Sequence, residues 1–257
     1  MLLPERWRDA VNSPDNGSRN RLLAVLSAAD RALLQPSVEM VDLEARQVLE
    51  APNDPIQHIY FVESGLVSIV ATTQPNHRIE VAMVGYEGMT GLGVVLGDDR
   101  SANETLVQSA GSARRIPSDA LRKVMGESRS LSAMLLRYVH VSMVQGAQTA
   151  LANGRGKLDE RLARWLLMWH DRIWHDDLVI THEFLALLLG VRRPGVTDTL
   201  HELEGKGLIR SSRSLIRILD RDGLHRAANG FYGIPEAKYD RLIGLEAGRI
   251  GIGGPRR

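Results

Sequence analysis

At Pro117-Ser118-Asp119 the hydrophobic pattern of this chain changes period, and that single change limits the folds open to it. Before it, short β-branched runs occupy residues 38–41, 59–62, 66–71, 79–84, 105–107 and 113–116. Turn clusters separate them, including Pro52-Asn53-Asp54-Pro55, Ser64-Gly65, Gln74-Pro75-Asn76 and Gly97-Asp98-Asp99. Strands this short and this evenly spaced predict an antiparallel roll or barrel. One or two short helices over residues 21–34, with Ser27 and Asp30 as candidate caps, precede it.

After Asp119 the period is helical. Residues 128–152 contain no proline and only Gly146 as a weak interior residue, which predicts a helix of about 25 residues, about 37 Å long. Its apolar positions, among them Leu131, Leu135, Tyr138, Met143 and Leu151, spread over more than one face. Such a helix is either buried within one chain or paired with its twin in a dimer. The second reading is favoured, because a strand roll offers one obvious place to receive it. Asn153-Gly154-Arg155-Gly156 reads as a hinge, and a further helix over 158–173 has Leu162, Trp165, Leu166 and Trp169 as core positions. The expected organisation is a flexible leader over 1–20, an effector roll over 21–127, a dimerisation helix over 128–153, a DNA-binding domain over 154–229 and a weakly structured tail over 230–257.

Composition excludes several functions. None of the 257 residues is cysteine, so there is no disulfide, thiolate zinc site, cysteine-ligated cluster or cysteine nucleophile. No apolar run approaches the roughly 18 residues of a membrane span and no signal-peptide core follows Met1, so a cytoplasmic protein without a membrane partner is expected. The net charge of +1 says nothing by itself about a polyanionic partner.

Charge is instead concentrated locally, over residues 176–220. Thr181 suits the cap of a short helix, Gly190 a tight turn, and Arg192-Arg193-Pro194 the first turn of a second helix. Val196, Leu200 and Leu203 give that helix an inner face, which turns Arg192, Arg193, Thr197, Asp198 and His201 outward. Gly205 and Gly207 end it, and two short strands flank Ser212-Arg213-Ser214, a polar turn suited to a wing. Between residues 191 and 217, six basic side chains face three acidic ones. Arginine at the start of such a helix bonds guanine edges bidentately or holds phosphate, and the coincidence of helix, turn, helix and hairpin with a basic excess favours a DNA reader. A ligand-binding module acting through protein contacts is the second reading, and an enzyme a distant third.

Residues 22–224, and most closely 181–220 with Gly190, Val196, Leu203-Glu204, Leu208-Ile209 and Ile216, resemble the Crp/Fnr superfamily of transcription regulators. The resemblance implies an α+β chain with an N-terminal cyclic-nucleotide-binding-like β-roll, a long dimerisation helix and a C-terminal winged helix-turn-helix. It implies double-stranded DNA, a second copy of the chain and RNA polymerase as partners. It assigns base contact to Arg193, with Pro194 and Thr197 in flanking positions. Pro194 and Gly195 replace residue types that normally offer side-chain hydrogen bonds there, so the family's best-known operator is not expected.

In the roll, Arg100-Ser101 resembles the end of the family's phosphate-binding cassette, where guanidinium and hydroxyl hold a cyclic phosphate. The cassette's Gly-Glu is missing: its place reads Met89-Thr90-Gly91-Leu92-Gly93, with Glu87 out of register. The long-helix hydroxyls that meet adenine fall on Gly146 and Ala147. The expectation is therefore no cofactor and no cyclic AMP, with Arg100 either an anion ligand for another effector or a staple of its loop. His170-Asp171, His175-Asp176-Asp177 and His182-Glu183 lack the i, i+4 spacing of a helical metal site, and there is no GxxxxGK loop, so no metal or catalytic residue is expected.

Overall fold

The computed structural model describes residues 17–73, 77–173, 176–212 and 214–244. Two short helices, α1 (Arg21–Ala24) and α2 (Ala28–Leu34), lead into the roll. Asn20 caps α1 by accepting from the Leu22 and Leu23 N–H groups, and its amide donates to the Val62 and Gly88 carbonyls. With Ser18 buried and donating to Glu63 at 2.6 Å, the last part of the expected leader is seated on the roll, while residues 1–16 lie outside the described residues. Ser27 caps α2, and the buried Asp30 carboxylate accepts from Ser27, Ser128 and Ser130.

The roll consists of β1 (Glu39–Leu43), β2 (Val48–Glu50), β3 (His58–Thr72), β4 (Arg78–Val84) and β5 (Glu104–Pro117), all paired antiparallel in the order β1-β5-β3-β4 with β2 also on β5. The strand runs expected as separate on either side of Ser64-Gly65 are one strand. Gly65 takes φ +84, and a Cβ there would stand 2.6 Å from the Ser109 carbonyl oxygen, so the glycine marks register shifts where β3 bends against β5 and not a chain reversal. Likewise β5 joins the two runs expected at 105–107 and 113–116. A five-residue helix, α3 (Leu92–Leu96), sits between β4 and β5 where no element was expected.

Helix α4 (Ser118–Glu127) leads into α5 (Arg129–Arg155), 27 residues capped by Ser128, whose hydroxyl accepts from the Leu131 N–H. The helix runs through Asn153 and Gly154, and the chain turns at Gly156, which is extended. Leu131, Leu135, Tyr138 and Val139 bury one side of α5 against the roll and helices α1 to α4. On the other side Leu136, Met143 and Leu151 stay 48 %, 66 % and 48 % exposed.

Helix α6 (Leu158–His170) is buried from Leu162 to His170. It is followed by β6 (Asp177–Val179), α7 (His182–Leu189), α8 (Arg193–Gly205), β7 (Ile209–Ser212) and β8 (Leu215–Ile218), the three strands ordered β6-β8-β7. Asp177, expected in a connecting turn, begins β6 and pairs with Arg217. These helices share one core with Leu66, Val70 and Met83 of the roll, so the two halves of the chain are packed together. After α9 (Arg221–Ala227) the stretch expected to be weakly structured carries α10 (Ile234–Tyr239) and a π-helical turn over Asp240–Gly244. Two of its apolar residues have tertiary seats: Tyr239 and Ile243 are buried with Leu22 and Tyr138, and the Tyr239 hydroxyl donates to the Glu87 carbonyl at 2.8 Å. Residues 245–257 of the expected tail lie outside the described residues.

Candidate DNA-binding surface and effector region

The Thr181 hydroxyl accepts from the Phe184 N–H at 3.2 Å and starts α7, as its side-chain chemistry predicts. Gly190 ends that helix at φ +63, and a Cβ there would come 2.8 Å from Ile79 Cδ1 of β4, so the turn between α7 and α8 lies directly on the roll. Val196, Leu200 and Leu203 are fully buried. That anchoring turns the opposite face of α8 outward: Arg192, Arg193, Pro194, Asp198 and His201 are exposed and Thr197 is half-buried. The structure thus brings five of the seven expected DNA-contacting residues to one helix and a sixth, Arg192, to its N-cap. The seventh, Arg213, lies outside the described residues, between β7 and β8, whose ends are tied by the Ser212 hydroxyl donating to the Leu215 carbonyl.

Part of the local basic excess is neutralised from outside the stretch. Arg217 pairs with Asp177, and Lys206 stands 4.0 Å from Asp159. Arg192 and Arg193 have no ion-pair partner among the described residues. His182, which sequence reasoning set aside as a metal ligand, lies beside them: its Nδ1 is 3.0 Å from the Thr197 hydroxyl, which also bonds the Arg193 carbonyl. Burial, and then the neighbouring Arg193 and His201, hold the His182 imidazole below its ordinary pKa. Its tertiary neighbours are 11 to 19 residues away in sequence, so no local signal marked it.

In the roll, Arg100 is exposed and donates to the Asn53 carbonyl at 2.6 Å, while its own N–H donates to Asp98. These bonds tie its loop to the turn that holds Asn53. Ser101 is buried and donates to Asn103 O and to Glu50, whose carboxylate also accepts from the Gly91 N–H at 2.8 Å, at the start of α3. Hydroxyls of Thr90 and Thr105 complete the shell around Glu50, and burial outweighs these bonds to raise its pKa. Of the two side chains expected to hold an incoming anion, Ser101 is thus turned on an acid of the chain itself, contributed by β2, and Arg100 on a backbone carbonyl. Gly146 and Ala147 on α5 present no hydroxyl. Glu87, out of register for the cassette, is buried and accepts from Arg172 at 2.7 Å. Among the described residues no cluster of His, Asp and Glu is arranged for a metal; His170 is engaged by Asp176 and Arg221.

Residues 40–128 match the cyclic nucleotide-binding domain model, and residues 160–227 match the Crp-like helix-turn-helix domain model. The chain belongs to the Crp/Fnr family. Its α+β fold joins the family's cyclic-nucleotide-binding-like roll, long helix and helix-turn-helix, and it is a transcription regulator by these domains. Solved structures of similar fold include FixK2 from Bradyrhizobium japonicum, at 18 % identity and TM-score 0.65, covering 74 % of this chain and 96 % of that one. A Crp/Fnr-family transcriptional regulator from Thermus thermophilus aligns at 23 % identity and TM-score 0.60 over 75 % and 99 %. The c-di-GMP-responsive regulator CLP from Xanthomonas campestris aligns at 18 % identity and TM-score 0.59, also over 75 % and 99 %. No curated protein sequence matches the chain. No helix among the described residues is long and apolar enough to cross a membrane.

Proposed function

We propose that this Crp/Fnr-family chain works as a cytoplasmic homodimer, is not an enzyme, and reads a pseudo-palindromic duplex with the exposed face of α8. The observation that carries the reading is the outward set Arg192, Arg193, Thr197, Asp198 and His201 on a helix whose inner face is fully buried. Arg193 meets a base edge and Arg213, in the wing turn, meets phosphate. The exposed Leu136, Met143 and Leu151 on α5 support pairing of two such helices, which presents two copies of α8 to half-sites one or more helical turns apart. RNA polymerase is the protein partner through which the bound dimer acts. The domain limits that go with this reading are a roll over 21–127, a dimerisation helix over 128–153 and a DNA-binding domain over 154–229. Cyclic AMP is not the effector: Glu50 occupies the Gly91 and Ser101 donors, and a cyclic phosphate there would face a carboxylate.

The test is binding of Arg193→Ala and Arg213→Ala to specific and scrambled duplexes across a salt series. Arg193→Ala is expected to cost about 1–3 kcal/mol on the specific site and to relax preference at one base pair per half-site. Arg213→Ala is expected to weaken both duplexes alike and to reduce the salt slope by about one unit per wing. Equal losses on both duplexes for Arg193→Ala would remove the helix from the groove.

A further inference from the structure

Between the roll and the start of α8 lies a cleft of about 990 Å³. This is the upper end of the range of small-molecule pockets, about 300–1,000 Å³. A cleft of this size has room for a nucleotide-sized molecule. Its walls carry guanidinium groups from both sides: Arg46 and Arg78 from the roll, Arg192 and Arg193 from the start of α8. Glu183 is the one carboxylate in the lining. Arg78 is paired with Glu104, whereas Arg46, Arg192 and Arg193 have no ion-pair partner among the described residues.

Like charges gathered around one cleft repel, and a single negative centre offsets only part of them. A molecule with two or more phosphates offsets more, each group taking the two-pronged hydrogen bonding that guanidinium offers phosphate. Arg46 is set for this: it sits at φ 71 in a tight turn, with its N–H bonded to the Val107 carbonyl at 2.8 Å, so its backbone is fixed. Phe184 lines the same cleft and gives a flat apolar surface for a base or other ring.

We propose that this cleft binds a small molecule carrying two or more phosphates between the roll and α8, and that its binding competes with DNA. The competition rests on the reading of α8 as the DNA-contacting helix, because the occupant takes Arg192 and Arg193. The site itself does not rest on it.

Calorimetry on the full chain without DNA, at constant ionic strength, uses inorganic tripolyphosphate and ATP as probes. One site per chain is expected, weakened about tenfold in Arg46→Ala and retained in larger part in Arg46→Lys. Arg46 is on the roll, so Arg46→Ala is expected to leave duplex affinity unchanged in the absence of probe. In competition, the probe is expected to displace duplex from the parent chain and to need about tenfold more to do so from Arg46→Ala. The proposal is overturned if neither probe binds at millimolar concentration, if Arg46→Ala binds as tightly as the parent, or if sodium chloride of matched ionic strength displaces duplex equally well. A chain that binds no duplex without probe sinks the DNA reading and the competition with it, while the calorimetry still decides the site.

Discussion

The indole N–H of Trp165 on α6 donates to the Glu80 carboxylate of β4 at 2.7 Å, and the Ser68 hydroxyl donates to the other oxygen at 2.5 Å. All three side chains are buried, so an acid of the roll bonds directly to the first helix of the DNA-binding segment. Close by, Gln145 of α5 bonds both the N–H and the carbonyl of Met83, and Glu87 of the roll pairs with Arg172. The position of α8 relative to the roll therefore depends on a few polar contacts as well as on the shared apolar core.

Burial pushes the Glu80 carboxyl up to about 7 from an ordinary 4.5, against hydrogen bonds from Ser68 and Trp165 and the nearby Arg164 and Arg172. A carboxyl whose folded pKa is raised contributes stability that is fully present below the unfolded value and is lost as pH rises through the folded one. Between pH 4.5 and 7 the folded state should lose about 3 kcal/mol on this account and nothing further above it. Glu80→Gln keeps an acceptor for Trp165 without a titrating group. Urea unfolding at pH 5 and pH 8 should then show the parent losing about 3 kcal/mol more than Glu80→Gln, and equal losses would mean that Glu80 is not the buried acid that matters.

On α5, Leu136 and Met143 are seven residues apart, two helical turns, and share the exposed side. Burying them against a twin helix would remove that apolar surface from water, whereas glutamates there would face one another. Met143→Glu combined with Leu136→Glu should convert a dimer to a folded monomer with unchanged helical content. Light scattering of the parent chain as a monomer at micromolar concentration, with and without duplex, would remove the dimer from the proposed mechanism.

Cyclic AMP should leave the melting temperature of the parent chain unchanged, since Glu50 already takes the Gly91 N–H and the Ser101 hydroxyl. For scale, a ligand bound only to the folded state at about 100 times its Kd adds about 2.7 kcal/mol, several degrees in a melting scan. A clear shift with cyclic AMP that Arg100→Ala abolishes would overturn the assignment of Arg100 as a loop staple.

Tyr239 ties the segment after the DNA-binding domain back to the roll, stacking edge-on against Tyr138 and lying under the Arg21 guanidinium at 4.8 Å. Tyr239→Ala removes a buried ring and a buried hydrogen bond and should cost about 3–5 kcal/mol. Tyr239→Phe, which keeps the ring, should cost about 1 kcal/mol. Chemical unfolding of both variants separates the two contributions, and a loss under about 1 kcal/mol for Tyr239→Ala would show that the segment is not anchored there.

Features set by near neighbours were legible in the sequence: the change of period at Pro117, the long helix after Ser128, the Thr181 cap, the Gly190 turn and the inner face Val196, Leu200, Leu203. Each depends on residues within a turn or two, where periodicity and capping chemistry act. The fate of Ser64-Gly65 was not legible, because a strand bend and a chain reversal call for the same residues, and only pairing with Ser109 and Ala110 decides between them. The segment after Gly230 misled for a related reason: its few apolar residues become a helix only because Leu22 and Tyr138 receive them. Composition and spacing determined that this chain has a strand roll, a long helix and a basic helix-turn-helix. Tertiary structure alone decided that Glu50 meets the Gly91 and Ser101 donors, that Glu80 meets Trp165 from 85 residues away and that Arg46 and Arg193 line one cleft. Residues so far apart in the chain meet only where the tertiary fold, within the roll or between the two halves, brings them together.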